Sequence, residues 1–231
     1  MHGGKGDVLL SQRGAERIII NHIYNDVIKR TVDFVIALVL FVVLFPLILV
    51  IAIFVRCDSK GTIFYKPLRG GYHDKPFRIY KFRTMVSNAD RIGGSTTALR
   101  DERITRVGAV LRKNKLDEIP QLINILKGDM SFIGPRPELL QYTEQYSPLE
   151  KAILEVRPGI TDISSLKFIA LDEAVGAENA DENYEKFILA HKNELRLEYV
   201  RTQRVGLDIK LFLSTVWGTV KKILHLHKAG K

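Results

Sequence analysis

The densest hydrophobic run in the chain extends from Val32 to Val55 and is interrupted by one charged residue, Asp33. At about 24 residues it exceeds the roughly 20 that cross a bilayer as a helix. Pro46 lies in its interior, where a proline removes a backbone donor and crowds the carbonyl of Val42. The pattern predicts a helix broken at Pro46, with pieces of about 21 and 14 Å on either side, each too short to span alone. Lys29 and Arg30 precede the run and Arg56 follows it, so the positive-inside rule assigns no orientation. Two readings stay open: a helix that dips into the bilayer and returns, and a kinked single-pass anchor, since membrane helices tolerate proline. A polar extension of about 30 residues in front, with no small-residue cleavage site behind, argues against a cleaved secretory signal.

Ahead of the run, Ile18, Ile19, Ile20, Ile23 and Val27 predict one face of a short interfacial helix within an extension covering 1–28. After it, Thr62 to Tyr65 and Phe77 to Phe82 read as strands on either side of a turn at Gly70 and Gly71, a β-hairpin that carries Lys81 and Arg83. A loop rich in Gly, Ser and Thr, Gly93 to Thr97, is expected to be exposed near the site. A helix is predicted from near Asp117, with Pro120 in its first turn, Leu122, Ile125 and Leu126 as its buried face, and Gly128 as its stop. Ser147 and Pro148 open another, running to about Val156 and ended by Arg157-Pro158-Gly159. Residues 182 to 202 repeat Tyr184, Phe187, Ile188, His191, Leu195 and Tyr199 at helical spacing and predict core positions.

The last stretch, from Leu207 to about 228, places Phe212, Val216, Trp217, Val220 and Leu224 near one face and Lys210, Lys221 and Lys222 on others. It reads as an amphipathic helix in the membrane surface or as a C-terminal helix packed on the core; the single tryptophan favours the interface. The fold class is therefore α+β, mainly helical and membrane-associated. Its predicted units are the extension 1–28, a membrane helix over 29–56, and one cytosolic catalytic domain over 57–231.

Charge narrows the partners. Lys and Arg number 35 against 26 Asp and Glu, a surplus of nine that favours anionic lipid, nucleotides or nucleic acid. No nucleic-acid recognition module is recognisable, and none is expected as a partner. The single cysteine, Cys57, forms no internal disulfide, and no Cys/His cluster has zinc-site spacing.

The candidate chemistry lies in LRKNKLDEIPQLINILKGDMSFIGPRP, residues 111 to 137, which sets Asp117 and Glu118 between Arg112 and Arg136. A carboxylate that attacks a phosphate is repelled by about 4 kcal/mol per charge pair at 4 Å and an effective dielectric near 20. Cations nearby remove that repulsion, and the planar fork of Arg136 in the Gly134-Pro135-Arg136-Pro137 turn matches phosphate oxygens. Adjacent acids at a helix start also have a plainer use, stabilising the helix dipole by about 0.3–1 kcal/mol.

The string LDEIPQLINILKGDMSFIGPRPE closely resembles the signature of bacterial sugar transferases of the polyprenyl-phosphate type, the small monotopic phosphoglycosyl transferases. The likeness extends upstream to YKFRTM, Tyr80 to Met85, and to the proline-broken segment behind Lys29 and Arg30. It implies transfer of sugar-1-phosphate from a nucleotide diphosphate sugar, usually a UDP-sugar, to polyprenyl phosphate, with release of UMP. That reaction begins a capsule, exopolysaccharide or glycoprotein glycan. By position Asp117 takes the family's nucleophile role through a phosphosugar-aspartyl intermediate, and Glu118 assists with the acceptor's proton or the metal site. A magnesium ion touching Asp117 is implied, as are phosphate-binding roles for Lys81, Arg112 and Arg136 and, more weakly, Arg83. The resemblance favours the re-entrant helix at Pro46, at the cytoplasmic face of the bacterial inner membrane. Two departures stand out: Phe45 precedes Pro46 where a small polar residue is often found, and Asp162-Ile163-Ser164-Ser165 follows Pro158-Gly159-Ile160-Thr161 where many relatives carry a glycine and an aromatic. The competing functions are a one-step transfer with Asp117 only as metal ligand, a glycosyltransferase releasing UDP, and a membrane-anchored scaffold or lipid-binding protein without catalysis. Pairing as a homodimer is left open.

Overall fold

The computed structural model describes residues 8–10, 17–89, 101–164, 182 and 184–228. The loop expected at Gly93 to Thr97 lies outside them.

The apolar run forms α1, Lys29–Asp58, which follows directly on a π-helical turn, Ile23–Ile28. Its buried side chains, Lys29, Asp33, Ala37, Ile48, Ile51 and Val55, recur along one stripe at helical spacing. On one side of Pro46 the stripe meets Phe77, Ile79, Leu122 and Ile125; on the other it meets Phe82 and Leu111. The helix stays continuous through Pro46, so the two short pieces expected there are a single element. Packing of both halves on the same domain supports the backbone where the proline removes a hydrogen bond. The rest of the circumference is apolar and exposed, including Val35, Leu38, Val42, Phe45, Val50 and Phe54. Among the described residues, Ile23–Asp58 is the one helical stretch long and apolar enough to cross a membrane.

The charges in front of this helix are committed to the fold. Lys29 pairs with Asp208 and donates to the Tyr199 hydroxyl at 3.2 Å, while Tyr24 and Tyr199 donate to the same aspartate at 2.6 and 2.8 Å. Arg30 donates to the carbonyls of Ile125 and Leu126. Flanking cations that hold tertiary structure in this way carry no topological signal of their own.

The isoleucines before α1 form a strand rather than the expected interfacial helix. β1, Val8–Leu10, pairs antiparallel with β2, Arg17–Ile19. Ile18 and Ile20 are buried, two residues apart, against Ile133, Tyr146 and Val156. That is strand periodicity, and β-branched side chains suit it. Ile23 and Val27 are exposed on the helical turn that follows.

The hairpin forms in two ladders. β3, Phe64–Tyr65, pairs with β6, Lys81–Phe82, and β4, Leu68–Arg69, pairs with β5, Phe77–Arg78. Pro67 separates β3 from β4 because it has no amide to donate, though its carbonyl still accepts from Ile79 at 3.1 Å. Next come α2, Arg106–Lys113, and α3, Gln121–Lys127, which ends at Gly128 with φ +91° as its composition predicted. β7, Ser131–Ile133, and β8, Gly159–Thr161, form a parallel pair, with the short α4, Leu140–Thr143, between them in sequence. Ser147 and Glu150 exchange hydrogen bonds as a capping box, opening a 3-10 helix, Glu150–Glu155, where an α-helix was expected.

α5, Ala190–Thr202, and α6, Val205–Lys228, close the domain. Tyr184, Ile188, Leu195 and Tyr199 are buried as expected, whereas Phe187 is exposed and His191 lies at the surface. The last helix packs on the core along one face and leaves another face apolar and exposed. Leu211 and Phe212 pack on the core, so Phe212 leaves the predicted outer face; Ile209, Leu213, Val216 and Trp217 make an exposed apolar one.

Candidate active site

The acid pair does not sit in the first turn of α3 as the spacing predicted. Lys115, left-handed at φ +58°, reverses the chain after α2, and Asp117 and Glu118 occupy a separate 3-10 turn, Leu116–Glu118. Leu116 packs with Phe82 and Leu111, which fixes that turn against the hairpin. The register of β6 then delivers Lys81 to Glu118 at 2.9 Å.

Arg136 reaches the same carboxylate oxygen. Two further contacts hold it: its other terminal nitrogen donates to the Ile160 carbonyl at 2.8 Å, and its backbone amide donates to Asp162 at 3.1 Å. The turn carrying it depends on two glycines in backbone contact. A Cβ on Gly134 would lie 2.3 Å from the Arg157 carbonyl oxygen, and one on Gly159 would lie 2.1 Å from the Gly134 amide nitrogen. Gly134→Ala must push β7 and β8 apart; we expect a loss of about 1–3 kcal/mol, read by thermal unfolding, with activity falling further because Arg136 moves.

Arg112 arrives from α2. A Cβ on Gly108 would lie 2.1 Å from the Thr84 carbonyl, so glycine lets α2 close on this strand, and Arg112 donates to the Thr84 hydroxyl at 2.8 Å. Arg83 goes elsewhere. It donates to the Ser59 carbonyl at 2.6 Å and to the Ser59 hydroxyl at 2.9 Å, closing the C-terminus of α1. Of the six predicted site residues, Asp117, Glu118, Lys81, Arg112 and Arg136 are brought together and Arg83 is not. Lys115, Thr84 and Asp162 were not foreseen in these roles. Asp162 had left one trace, the departure from the family pattern after Thr161, and it is fully buried beside Arg136 and Ser164.

The two acids are driven in opposite directions. Burial pushes the Asp117 carboxyl up and Glu118 adds to this, against the opposing pull of Lys81, Arg112 and Lys115. Burial would also raise Glu118, but Arg136 and Lys81 outweigh it and hold that carboxyl well below the usual range. Such divergence sorts roles. Glu118 is the carboxylate that gathers two cations, Lys81 and Arg136. Asp117, 8% exposed, takes no hydrogen bond among the described residues and stays a basic carboxylate in a cationic field.

Among the described residues no group of three or more His, Cys, Asp or Glu side chains could hold a metal by itself. Asp117 is the carboxylate of this cluster not committed to a cation. One such ligand suits magnesium, which is commonly bound by one or two carboxylates together with substrate phosphates.

Comparison with known proteins assigns the chain to a family. The chain is 34% identical over 198 residues to a UDP-glucose:undecaprenyl-phosphate glucose-1-phosphate transferase of Klebsiella pneumoniae, covering 84% of this chain and 40% of that protein. A protein of the same description from Caulobacter vibrioides is 34% identical over 194 residues, 83% of this chain and 69% of its own length. A UDP-N-acetylgalactosamine-undecaprenyl-phosphate N-acetylgalactosaminephosphotransferase of Aeromonas hydrophila is 41% identical over 137 residues, 58% of this chain and 32% of its own. The chain thus spans about two fifths of the Klebsiella relative's length. The family model for bacterial sugar transferases matches residues 24–222, nearly the whole of what is described above, and the chain belongs to that family.

Proposed function

We propose that this protein transfers sugar-1-phosphate from a UDP-sugar to polyprenyl phosphate in two displacements. The observation that carries the reading is Asp117, a buried carboxylate without hydrogen bonds among the described residues, placed among Lys81, Arg112, Lys115 and Arg136. In the first step a carboxylate oxygen of Asp117 bonds to the phosphorus that bears the sugar. The bond from that phosphorus to the bridging oxygen breaks, and UMP leaves with the electron pair. In the second step an oxygen of the lipid phosphate attacks the same phosphorus and displaces Asp117, which returns as carboxylate. Lys81 and Arg136, kept in place by Glu118, neutralise the equatorial oxygens in both steps, and Arg112 stands on the opposite flank. A magnesium ion held by Asp117 would add charge neutralisation at the diphosphate.

The helix α1 supports a monotopic placement. It lies along the domain on both sides of Pro46 and is tied at its start by Lys29 and Asp208 and at its end by Arg83. A helix held along its length presents its free apolar face to one leaflet, with α6 adding Leu213, Val216 and Trp217. On this reading the domain rests on the cytoplasmic face of the inner membrane, at the first lipid-linked step of glycan assembly. The relatives include both glucose and N-acetylgalactosamine transferases, so the sugar is to be found by assay. The test is to incubate the purified protein with magnesium and a panel of UDP-sugars, without lipid. One donor should release UMP up to one equivalent; release of UDP, or none from any donor, would reject the proposal.

A further inference from the structure

Beside the C-terminal end of α1 lies an open groove of about 770 Å³, lined by Arg56, Lys66 and Arg78 with Ile63, Phe64 and Tyr65. That is the size of a small-ligand cleft, roughly 300–1,000 Å³. Among the described residues no carboxylate lines it. All three cations are exposed, and none is in an ion pair among the described residues.

A fourth cation lies beneath. Arg83 is 7% exposed, and two of its guanidinium nitrogens, Nε and Nη1, have no hydrogen-bond partner among the described residues. Gly61, at φ +129°, lines the groove directly over it, and a Cβ there would stand 2.3 Å from Nη1. Burial and the nearby charge of Arg56 lower the Arg83 pKa, and together they outweigh the opposing pull of Asp58.

Two further features fix what kind of anion fits. The exposed apolar face of α1 runs up to Ile53 and Phe54, two residues before Arg56, so hydrocarbon-compatible surface ends where the cationic groove begins. Tyr65 is paired with Lys81 in the β3–β6 register, and Lys81 binds Glu118, so the groove is one strand from the acid pair. A ligand with a phosphate head and a long apolar tail matches both.

We propose that this groove docks the phosphate head of the lipid acceptor, with Arg56, Lys66 and Arg78 facing the phosphate and the isoprenoid chain lying against Ile53 and Phe54. The inference rests on the transferase reading above and adds to it where the second substrate waits before it meets Asp117. Arg83, absent from the acid cluster, then serves the acceptor by supplying buried positive charge under Gly61.

The test replaces Arg56, Lys66 and Arg78 together by glutamine in the full chain, purified in neutral detergent. A double variant, Arg56→Gln with Lys66→Gln, spares the hydrogen bond from Arg78 to the Lys66 carbonyl and stands in if the triple variant misfolds. Three readouts are compared with wild type: the UMP burst without lipid, the KM for a short polyprenyl phosphate, and direct equilibrium binding of that lipid. We expect the burst and donor KM to be retained while the acceptor KM and its dissociation constant rise about tenfold or more. Unchanged acceptor binding would overturn the proposal. So would a loss confined to vesicles of anionic phospholipid, which would make the groove a bilayer-headgroup site. Should wild type show no burst with any donor, the transferase reading fails, and direct lipid binding still decides the groove separately.

Discussion

Asp117→Asn is expected to lower turnover by about 10³-fold or more and to abolish the lipid-independent release of UMP. The substitution keeps the side chain's shape and removes its ability to bond to phosphorus and leave again as an anion. Stability should move the other way. A carboxyl whose folded pKa is raised binds its proton more tightly when folded, so at neutral pH its ionised form costs stability, and asparagine removes that cost. An unfolding temperature equal to or above wild type, together with lost turnover, separates a chemical role from a structural one. The same shift sets the acid limb of the pH–rate profile. The nucleophile must be ionised, so activity should fall as pH drops through a value above the ordinary aspartate pKa of about 3.9. Near-normal turnover in Asp117→Asn would refute the double displacement.

Arg196→Met is expected to be the most damaging single change to stability. Arg196 is 1% exposed and donates to Glu138 at 2.8 Å, where the Tyr184 hydroxyl also donates at 2.6 Å. Its second nitrogen donates to Asn193 at 2.8 Å. Methionine fills much of the volume but leaves Glu138 as a buried anion with its main cation gone. Breaking such a pair from one side costs about 3–5 kcal/mol. In a chain of this length that lowers the unfolding temperature by roughly 10 °C. The effect should ease in acid, because Glu138, held below the ordinary range while paired, would accept a proton once unpaired. A double variant that also carries Glu138→Gln should recover part of the loss; no recovery would show that packing, not charge, dominates at this position.

How far the chain could be read from its residues depended on whether a signal was local. The long apolar helix, the stop at Gly128 and the acid pair flanked by arginines follow from residues close in sequence, and all are present. The strand at Arg17–Ile19 was misread because three consecutive isoleucines fit a helix face and a strand equally well; the choice between them is made by Ile133 and Val156, more than a hundred positions away. Lys29 and Arg30 were read only as charges flanking the apolar run, because their partners, Asp208 and the carbonyls that end α3, are distant in sequence. Within the site, the sequence supplied the cations but not their arrangement. That Glu118 would hold both Lys81 and Arg136 and leave Asp117 bare depends on the left-handed turn at Lys115, which nothing in its side chain announces.

The contacts from Arg30 and Arg157 to the end of α3 bear on any attempt to work with a water-soluble fragment. Arg30 belongs to the bilayer-seeking helix, yet it binds the Leu126 carbonyl at 2.9 Å, while Arg157 binds the Gly128 carbonyl at 3.2 Å. Cutting the protein after the hydrophobic stretch would strip backbone acceptors of their donors and uncover Leu122 and Ile125. The apolar helix is part of the packed core that carries α3 and the hairpin, not a detachable leash, and the domain cannot be separated from it by simple deletion.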